Sequence, residues 1–192
     1  MSAVVRMHSG KTVPLEEPRF HHILISDIAH HLALTNRFNG ATPTPYTVAQ
    51  HSCHVADILQ ARKATTLMVL RGLLHDAHEA YVGDVISPVK LHLFGGVEIP
   101  ESCWDRLTGN FDAAIETRFG LRAMTGAEFN AVAEADEVAL ATEWRDLLQG
   151  APPTPKPPAN FQVKPWSWHV AEERFLKRFY ELTAQAGLHF NL

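Results

Sequence analysis

Two histidines in this sequence lie in segments whose periodicity turns them toward a core. The apolar residues that share a helical face with His51 are Val55, Ile58 and Leu59. A lone inward histidine is usually a packed core residue. His75, however, ends the apolar run 70–74 and is followed directly by Asp76. An imidazole beside a carboxylate gains nothing from burial unless something compensates both groups, so this pair indicates a site.

A second carboxylate falls on the apolar stripe of a long predicted helix. The residues of that stripe are Phe129, Val132, Ala133, Ala139, Leu140 and Leu147. Asp136 lies among them, and on its helix the nearest basic residue that follows, Arg145, is beyond reach of a helical ion pair. A divalent metal would compensate all of these groups. The predicted ligands are His51, His75, Asp76 and Asp136. Two imidazoles and two carboxylates suit zinc, cobalt, manganese or iron rather than calcium, and open coordination positions favour catalysis.

Other histidines have less specific interpretations. His54 and His78 each lie about one turn after a predicted ligand, so either could bind the metal, support a ligand or be a partly exposed polar residue. The pairs His21-His22 and His30-His31 are expected in surface or packing positions. No second histidine completes a zincin helix after His78-Glu79, and neither a phosphate loop nor a dinucleotide glycine signature occurs.

Composition narrows the class of protein. The chain has 192 residues, a formal charge of -4 and no long basic run, so binding to a nucleic acid polymer is not expected. Its two cysteines form no Cys-x-x-Cys pair, which favours a reducing compartment. No apolar run approaches the roughly 20 residues of a membrane span. We therefore expect a cytoplasmic protein, of a bacterium or of a phage-infected cell, without membrane partners.

The element pattern predicts an all-α fold in one domain, 1–192. Residues 1–20 form a hairpin or an extended arm, and residues 82–98 are mostly loop. Helices are predicted from Asp27 to about Arg37, Thr47 to Arg62, Thr65 to Glu79, Pro100 to Phe119, Thr125 to just before Gly150, and over 167–187. Ser26 is the expected N-cap of the first, and Thr47-Gln50 and Thr125-Glu128 are expected capping boxes. The proline-rich segment 151–166 is predicted to be an irregular connector.

The order and spacing of the predicted ligands resemble the signature of HD-domain phosphohydrolases. The blocks Tyr46–Ser52 and Leu73–Ala80, continuing through Gly83-Asp84 to Pro88–Lys90, look like the small branch that includes bacterial 5'-deoxynucleotidases and phage dATP triphosphohydrolases. The resemblance covers about residues 20–150 and leaves the arm and the connector outside. It implies a compact helical bundle around one metal and hydrolysis of a phosphate ester of a deoxynucleoside.

The resemblance also implies roles for further residues. Glu79 matches the acid that orients or deprotonates the attacking water, and Asp84 matches a carboxylate that protonates the leaving oxygen. Arg37 and Lys90 match positions that contact phosphate. Phe38 stands where bacterial deoxynucleotidases carry a tryptophan against the deoxyribose.

These features favour one substrate class and leave alternatives open. The blocks Asp27-Ile28-Ala29 and Arg37–Gly40 favour a dATP triphosphohydrolase, which releases deoxynucleoside and triphosphate. Additional magnesium would then bind with the triphosphate substrate. The alternatives are a 5'-deoxynucleotidase acting on dNMPs, a phosphodiesterase or guanosine-tetraphosphate hydrolase, and a non-catalytic nucleotide sensor. Because the relatives of this branch form homo-oligomers, we expect one here.

Overall fold

The N-terminal arm folds back on itself. A computed structural model of the chain describes residues 3–94 and 103–190. Strands β1 (Val4–Arg6) and β2 (Thr12–Pro14) pair antiparallel, with Val5 opposite Val13. Of the two forms predicted for this arm, the hairpin is therefore the one adopted. The side chains of Met7 and Val13 are buried, which attaches the hairpin to the helical body.

The remaining regular structure of the described chain is helical, which confirms the all-α prediction. The helices are α1 (Ile25–Leu34), α2 (Val48–Ala61), α3 (Thr66–Leu74), α4 (Glu79–Val82), α5 (Ser87–Phe94), α6 (Cys103–Arg118), α7 (Gly126–Leu147) and α8 (Trp168–Gln185). Single 3-10 turns occur at Phe20–His22 and Phe38–Gly40. Within the described ranges, no helix combines the length and the apolarity that crossing a membrane requires.

Helix α2 lies at the centre of the bundle and packs against α1, α3, α7 and α8. Its contact with α3 is close because Gly72 of α3 has no side chain where it faces Val55, Ala56 and Leu59 of α2. A side chain at this position would have to displace the end of Leu59. The glycine thus lets the C-terminal end of α3, which precedes His75, approach the middle of α2.

Two helices have boundaries that differ from the sequence prediction. Helix α1 begins at Ile25 with Leu24 at its N-cap and ends at Leu34, so the prediction of Ser26 as N-cap is wrong. Helix α3 ends at Leu74 rather than Glu79. A tight turn over 75–78 follows, in which the amide of Ala77 donates to the Leu74 carbonyl at the spacing of a 3-10 turn. The turn separates α3 from α4 and redirects the chain at the predicted His-Asp pair.

Only one of the two hydrogen bonds of the first predicted capping box forms, because the Gln50 side chain makes tertiary contacts instead. The Thr47 hydroxyl accepts from the Gln50 amide at 3.3 Å, as predicted for an N-cap. The Gln50 side chain does not return to Thr47. It donates to the Lys164 carbonyl at 2.9 Å and accepts from the Trp166 amide at 2.8 Å, which ties the proline-rich connector to α2.

The remaining predictions about the helices have mixed outcomes. Thr125 and Glu128 form a complete capping box at the start of α7. The buried face of α8 includes Ala171, Phe175, Phe179 and Leu182, whereas Trp168, predicted on that face, is 37% exposed. The prediction that residues 82–98 are mostly loop is wrong for their described part, because Ser87–Phe94 form helix α5. The predicted helix start at Pro100 lies outside the described residues.

Replacing the buried Phe175 by alanine is expected to lower the free energy of unfolding by about 3–5 kcal/mol, because a fully buried aromatic ring leaves a cavity. Tyr180 of the same helix is 43% exposed. Tyr180→Ala should change stability by less than about 1 kcal/mol. Urea unfolding followed by circular dichroism measures both. Equal losses for the two variants would contradict this packing of α8.

Candidate metal centre

The four predicted ligands converge from three parts of the fold. His51 lies in α2, His75 and Asp76 open the turn after α3, and Asp136 lies in the middle of α7. His51 Nε2 is 3.0 Å from Asp136 Oδ1, 3.3 Å from His75 Nε2 and 3.5 Å from Asp76 Oδ2. His75 Nε2 is 3.1 Å from Asp76 Oδ2. Bonds of about 2.0–2.2 Å to a tetrahedral ion place neighbouring donors roughly 3.3–3.6 Å apart, so the four side chains fit a divalent metal.

Each histidine directs one nitrogen toward the other ligands and is held through the opposite one. His75 Nδ1 donates to the Gly72 carbonyl at 2.9 Å, and His51 Nδ1 lies 2.6 Å from Glu143 Oε1. Because an oxygen accepts the proton of Nδ1, Nε2 is the nitrogen that remains for a metal, and in both rings it faces Asp76 and Asp136. This support is typical of histidines that bind metals.

Glu143 is a functional residue that the sequence analysis did not single out. Its side chain in α7 is completely buried, and besides His51 it accepts from Tyr46 Oη at 2.8 Å and from Arg37 Nε at 3.2 Å. It lies two helical turns after Asp136 and therefore on the same face of α7. That spacing of two acids on an inward face was the available signal. One buried carboxylate thus holds a predicted ligand and a predicted phosphate contact.

His54 is part of this support rather than a member of the ligand group. Its Nδ1 is 3.0 Å from Tyr46 Oη, whose proton is donated to Glu143. His54 Nδ1 must then carry a proton and donate it to Tyr46. Burial lowers the pKa of His54 to about 4, which keeps the ring neutral at neutral pH.

Charges within the group shift its ionisation strongly. Burial alone would lower the pKa of His75, but the adjacent Asp76 carboxylate and Asp136 outweigh burial and raise it to about 9. Burial would raise the pKa of Asp76, yet His75, His51 and Arg37 hold it well below its usual value. The imidazoles therefore supply positive charge that the carboxylates require.

The two residues predicted to handle protons lie beside Asp76. Glu79, at the start of α4, is 4% exposed, and its Oε2 has no hydrogen-bond partner within residues 3–94 and 103–190. Burial, reinforced by Asp76 and Asp84, raises the pKa of Glu79 to about 9. Burial also raises the pKa of Asp84. Lys90 Nζ of α5 lies 4.0 Å from Glu79 Oε1.

Arg37 and Phe38 approach from the loop after α1. Arg37 Nη1 is 3.7 Å from Asp76 Oδ2, so this guanidinium is held between Asp76 and Glu143. The Phe38 ring lies edge-on to Trp144 of α7, with centroids 6.0 Å apart. Phe38 is thus on the C-terminal side of Asp136 along α7.

A largely apolar cavity of about 300 Å³ opens on the N-terminal side of Asp136. His75, His78 and Asp136 form one wall, and the other lining residues include Leu74, Ile115, Met124, Phe129 and Val132. Phe129 is 60% exposed, so its predicted place in the core is wrong. Its position in the first turn of α7, beyond the contact of that helix with the bundle, leaves it at the cavity edge.

The remaining histidines make local contacts. His78 Nδ1 lies 3.0 Å from Asp112 Oδ1, and an oxygen of Asp76, a nitrogen of His78 and an oxygen of Glu79 lie within 4.8 Å of one another. His30 stacks on His8 and lies 3.3 Å from Glu172. His30 therefore has the packing role expected of it.

Fold and site together define an all-α protein with His and Asp groups that could hold a metal ion. No family model matches the chain. It is similar to an uncharacterized protein of Rhodobacter capsulatus, RCAP_rcc00048, with 41% identity over 72% of this chain and 69% of the relative. It is also 31% identical to the uncharacterized protein YfdR of Escherichia coli, over 93% of this chain and 95% of YfdR. The chain belongs to the family of these proteins, whose names state no activity.

The support from Glu143 predicts an effect on metal affinity. Glu143→Gln should weaken the binding of Zn²⁺ or Mn²⁺ by about 10–100-fold, since the amide is a weaker acceptor for His51 and lacks the charge that holds Arg37. Glu137→Gln, an exposed change on α7, is the control and should leave the affinity unchanged. Competition with a chromophoric chelator measures both. Equal affinities for the two variants would show that Glu143 does not support the site.

Proposed function

We propose that this chain is a metal-dependent phosphohydrolase of the HD-domain type that acts on deoxynucleotides, most specifically a dATP triphosphohydrolase. The observation that carries the proposal is the convergence of His51, His75, Asp76 and Asp136 at 3.0–3.8 Å. These side chains come from three separate stretches of the sequence and match the order of the HD signature. A group of this composition has the donors of a catalytic zinc, cobalt or manganese site.

The four side chains would hold the metal, which when bound lowers the pKa of a coordinated water and polarises a phosphoryl oxygen. Two imidazoles and two carboxylates leave coordination positions for water and substrate when the ion takes more than four ligands. Asp136 is 39% exposed in its side chain, whereas His51 is fully buried. Substrate would therefore approach from the side of Asp136 and Asp76.

Glu79 is the residue placed to accept a proton from the attacking water. It is near Asp76, and its Oε2 makes no hydrogen bond to any residue that the structure describes, so that oxygen can accept one from water. Burial and the neighbouring acids raise the pKa of Glu79 to about 9, so the positive charge of a bound metal would have to ionise this carboxyl group before it accepts a proton.

Asp84 has the opposite proton requirement. An acid that protonates the leaving 5'-oxygen must carry a proton at working pH, and burial raises the pKa of Asp84 in the required direction. Arg37 and Lys90 provide positive charge on the same side as Asp76 and Glu79, where they would contact the phosphate oxygens. The contact of Phe38 with deoxyribose remains a prediction from the resemblance.

The substrate is identified by product analysis. The purified protein is incubated with each dNTP, dNMP and rNTP in the presence of Mn²⁺, Co²⁺, Zn²⁺ or Mg²⁺, and phosphate, pyrophosphate and triphosphate are measured separately. We expect triphosphate and deoxyadenosine from dATP, with loss of at least 100-fold in rate in Asp76→Asn. Asp57→Asn, a change at an exposed acid of α2, should retain the wild-type rate.

Different products would alter the assignment in a defined way. Phosphate released from dNMPs alone would make the chain a 5'-deoxynucleotidase. Nucleotide binding without turnover under any metal would contradict the hydrolase proposal and favour a sensor.

The Glu79→Gln variant is expected to lose turnover while it keeps its affinity for substrate. The amide cannot accept the proton, so kcat should fall by about 100–10,000-fold while KM stays within about threefold. Glu137→Gln serves as the exposed control and should leave kcat unchanged. Steady-state rates across substrate concentration provide both constants. A kcat close to the wild-type value would exclude Glu79 as the base.

A further inference from the structure

A second set of donors lies beside the predicted metal ligands. One oxygen of Asp76, one nitrogen of His78 and one oxygen of Glu79 are within 4.8 Å of one another. The first group that meets the same criterion consists of His51, His75 and Asp136. The two groups share no member, and Asp76 lies between them because its Oδ2 is also 3.1 Å from His75 Nε2.

The first observation in favour of a bound cation concerns the carboxyl group of Glu79. Its carboxylate is almost completely buried, yet its Oε2 makes no hydrogen bond among the described residues. The nearby cation Lys90 is 4.0 Å from the other oxygen, Oε1, beyond hydrogen-bond distance. Ionising a buried carboxyl group whose oxygen has no partner is unfavourable, and a bound cation would offset that cost.

A second, independent observation in favour of a bound cation is the hydrogen bond of His78. The Asp112 carboxylate can only accept from His78 Nδ1, which fixes the proton on that nitrogen and leaves Nε2 with its lone pair. The same arrangement orients the two predicted ligands, His51 through Glu143 and His75 through the Gly72 carbonyl. A carboxylate behind an imidazole is typical support for a histidine that binds a metal.

We propose that Asp76, His78 and Glu79 bind a second divalent cation, with Asp76 bridging the two ions. Two carboxylates and one imidazole suit Mn²⁺ or a similar cation, and the remaining positions would be filled by water. The chain itself supplies three donors, so this ion binds in the absence of nucleotide. It is thus distinct from magnesium that arrives with a triphosphate. A carboxylate has two oxygens, so Glu79 can bind the ion through one and accept a hydrogen bond through the other.

The stoichiometry of metal binding tests this site without any substrate. Metal-free full-length protein is dialysed against Mn²⁺, and bound manganese per chain is measured by elemental analysis. The wild type is expected to bind two ions. His78→Ala should bind one at the concentration that saturates the wild type, because the second site loses its only nitrogen donor.

His30→Ala is the matched control. His30 and His78 have similar side-chain exposure, 16% and 13%, and each pairs with one acid, Glu172 or Asp112. His30→Ala should therefore retain two ions. His78→Gln keeps the size of the side chain without a comparable donor, and circular dichroism verifies that both His78 variants are folded. Both should bind one ion.

The proposal is overturned if the wild type saturates at one ion per chain, or if both folded His78 variants retain two. No nucleotide is present in this measurement, so its result is separate from the proposed function. Two ions on a protein that hydrolyses no nucleotide would uphold the second site and contradict the phosphohydrolase assignment. One ion on an active hydrolase would do the reverse.

Discussion

The neighbouring carboxylates of Asp76, Asp136 and Glu143, of which only Glu143 is fully buried, require positive charge, and the arrangement of α2, α3 and α7 depends on that requirement. Ionised acids inside a bundle are unfavourable unless cations compensate them. Arg37 compensates Glu143 and Asp76, and the imidazoles of the site carry the rest as protons, which is why the pKa of His75 is raised. A divalent cation that binds the two imidazoles would displace these protons and supply the same positive charge.

The site is built from layers of contacts rather than from four ligands alone. Gly72 brings the end of α3 against α2 and its carbonyl orients His75. Glu143 orients His51 and Arg37 at once, so a metal ligand and a phosphate contact share one support. The same carboxylate accepts from Tyr46, which is fixed in turn by the neutral His54. The loop before α2 and the middle of α7 are thereby connected through polar groups in the core.

The sequence was sufficient where the signal was local. An imidazole or a carboxylate on an apolar helical face is an anomaly visible without coordinates, and it predicted that the ligands His51, His75, Asp76 and Asp136 face inward; the structure brings them together. Glu143 escaped because its significance depends on which residues of other helices face it. Ser26 failed as a cap because α1 already begins at Ile25, after the extended Leu24. Asp27 accepts hydrogen bonds from Ser9 of the hairpin turn, a contact that no local pattern contains. The exposure of Phe129 likewise follows from where the bundle ends rather than from its helical spacing.

The most direct measurement of the central claim is the position of a bound metal. Crystals grown with Zn²⁺ or Mn²⁺ would be measured at the absorption edge of the ion, where anomalous scattering locates it. The account predicts an anomalous peak about 2.0–2.2 Å from His51 Nε2, His75 Nε2 and carboxylate oxygens of Asp76 and Asp136. The absence of a peak between α2, α3 and α7 at saturating metal would contradict it, whether or not a further ion is found elsewhere.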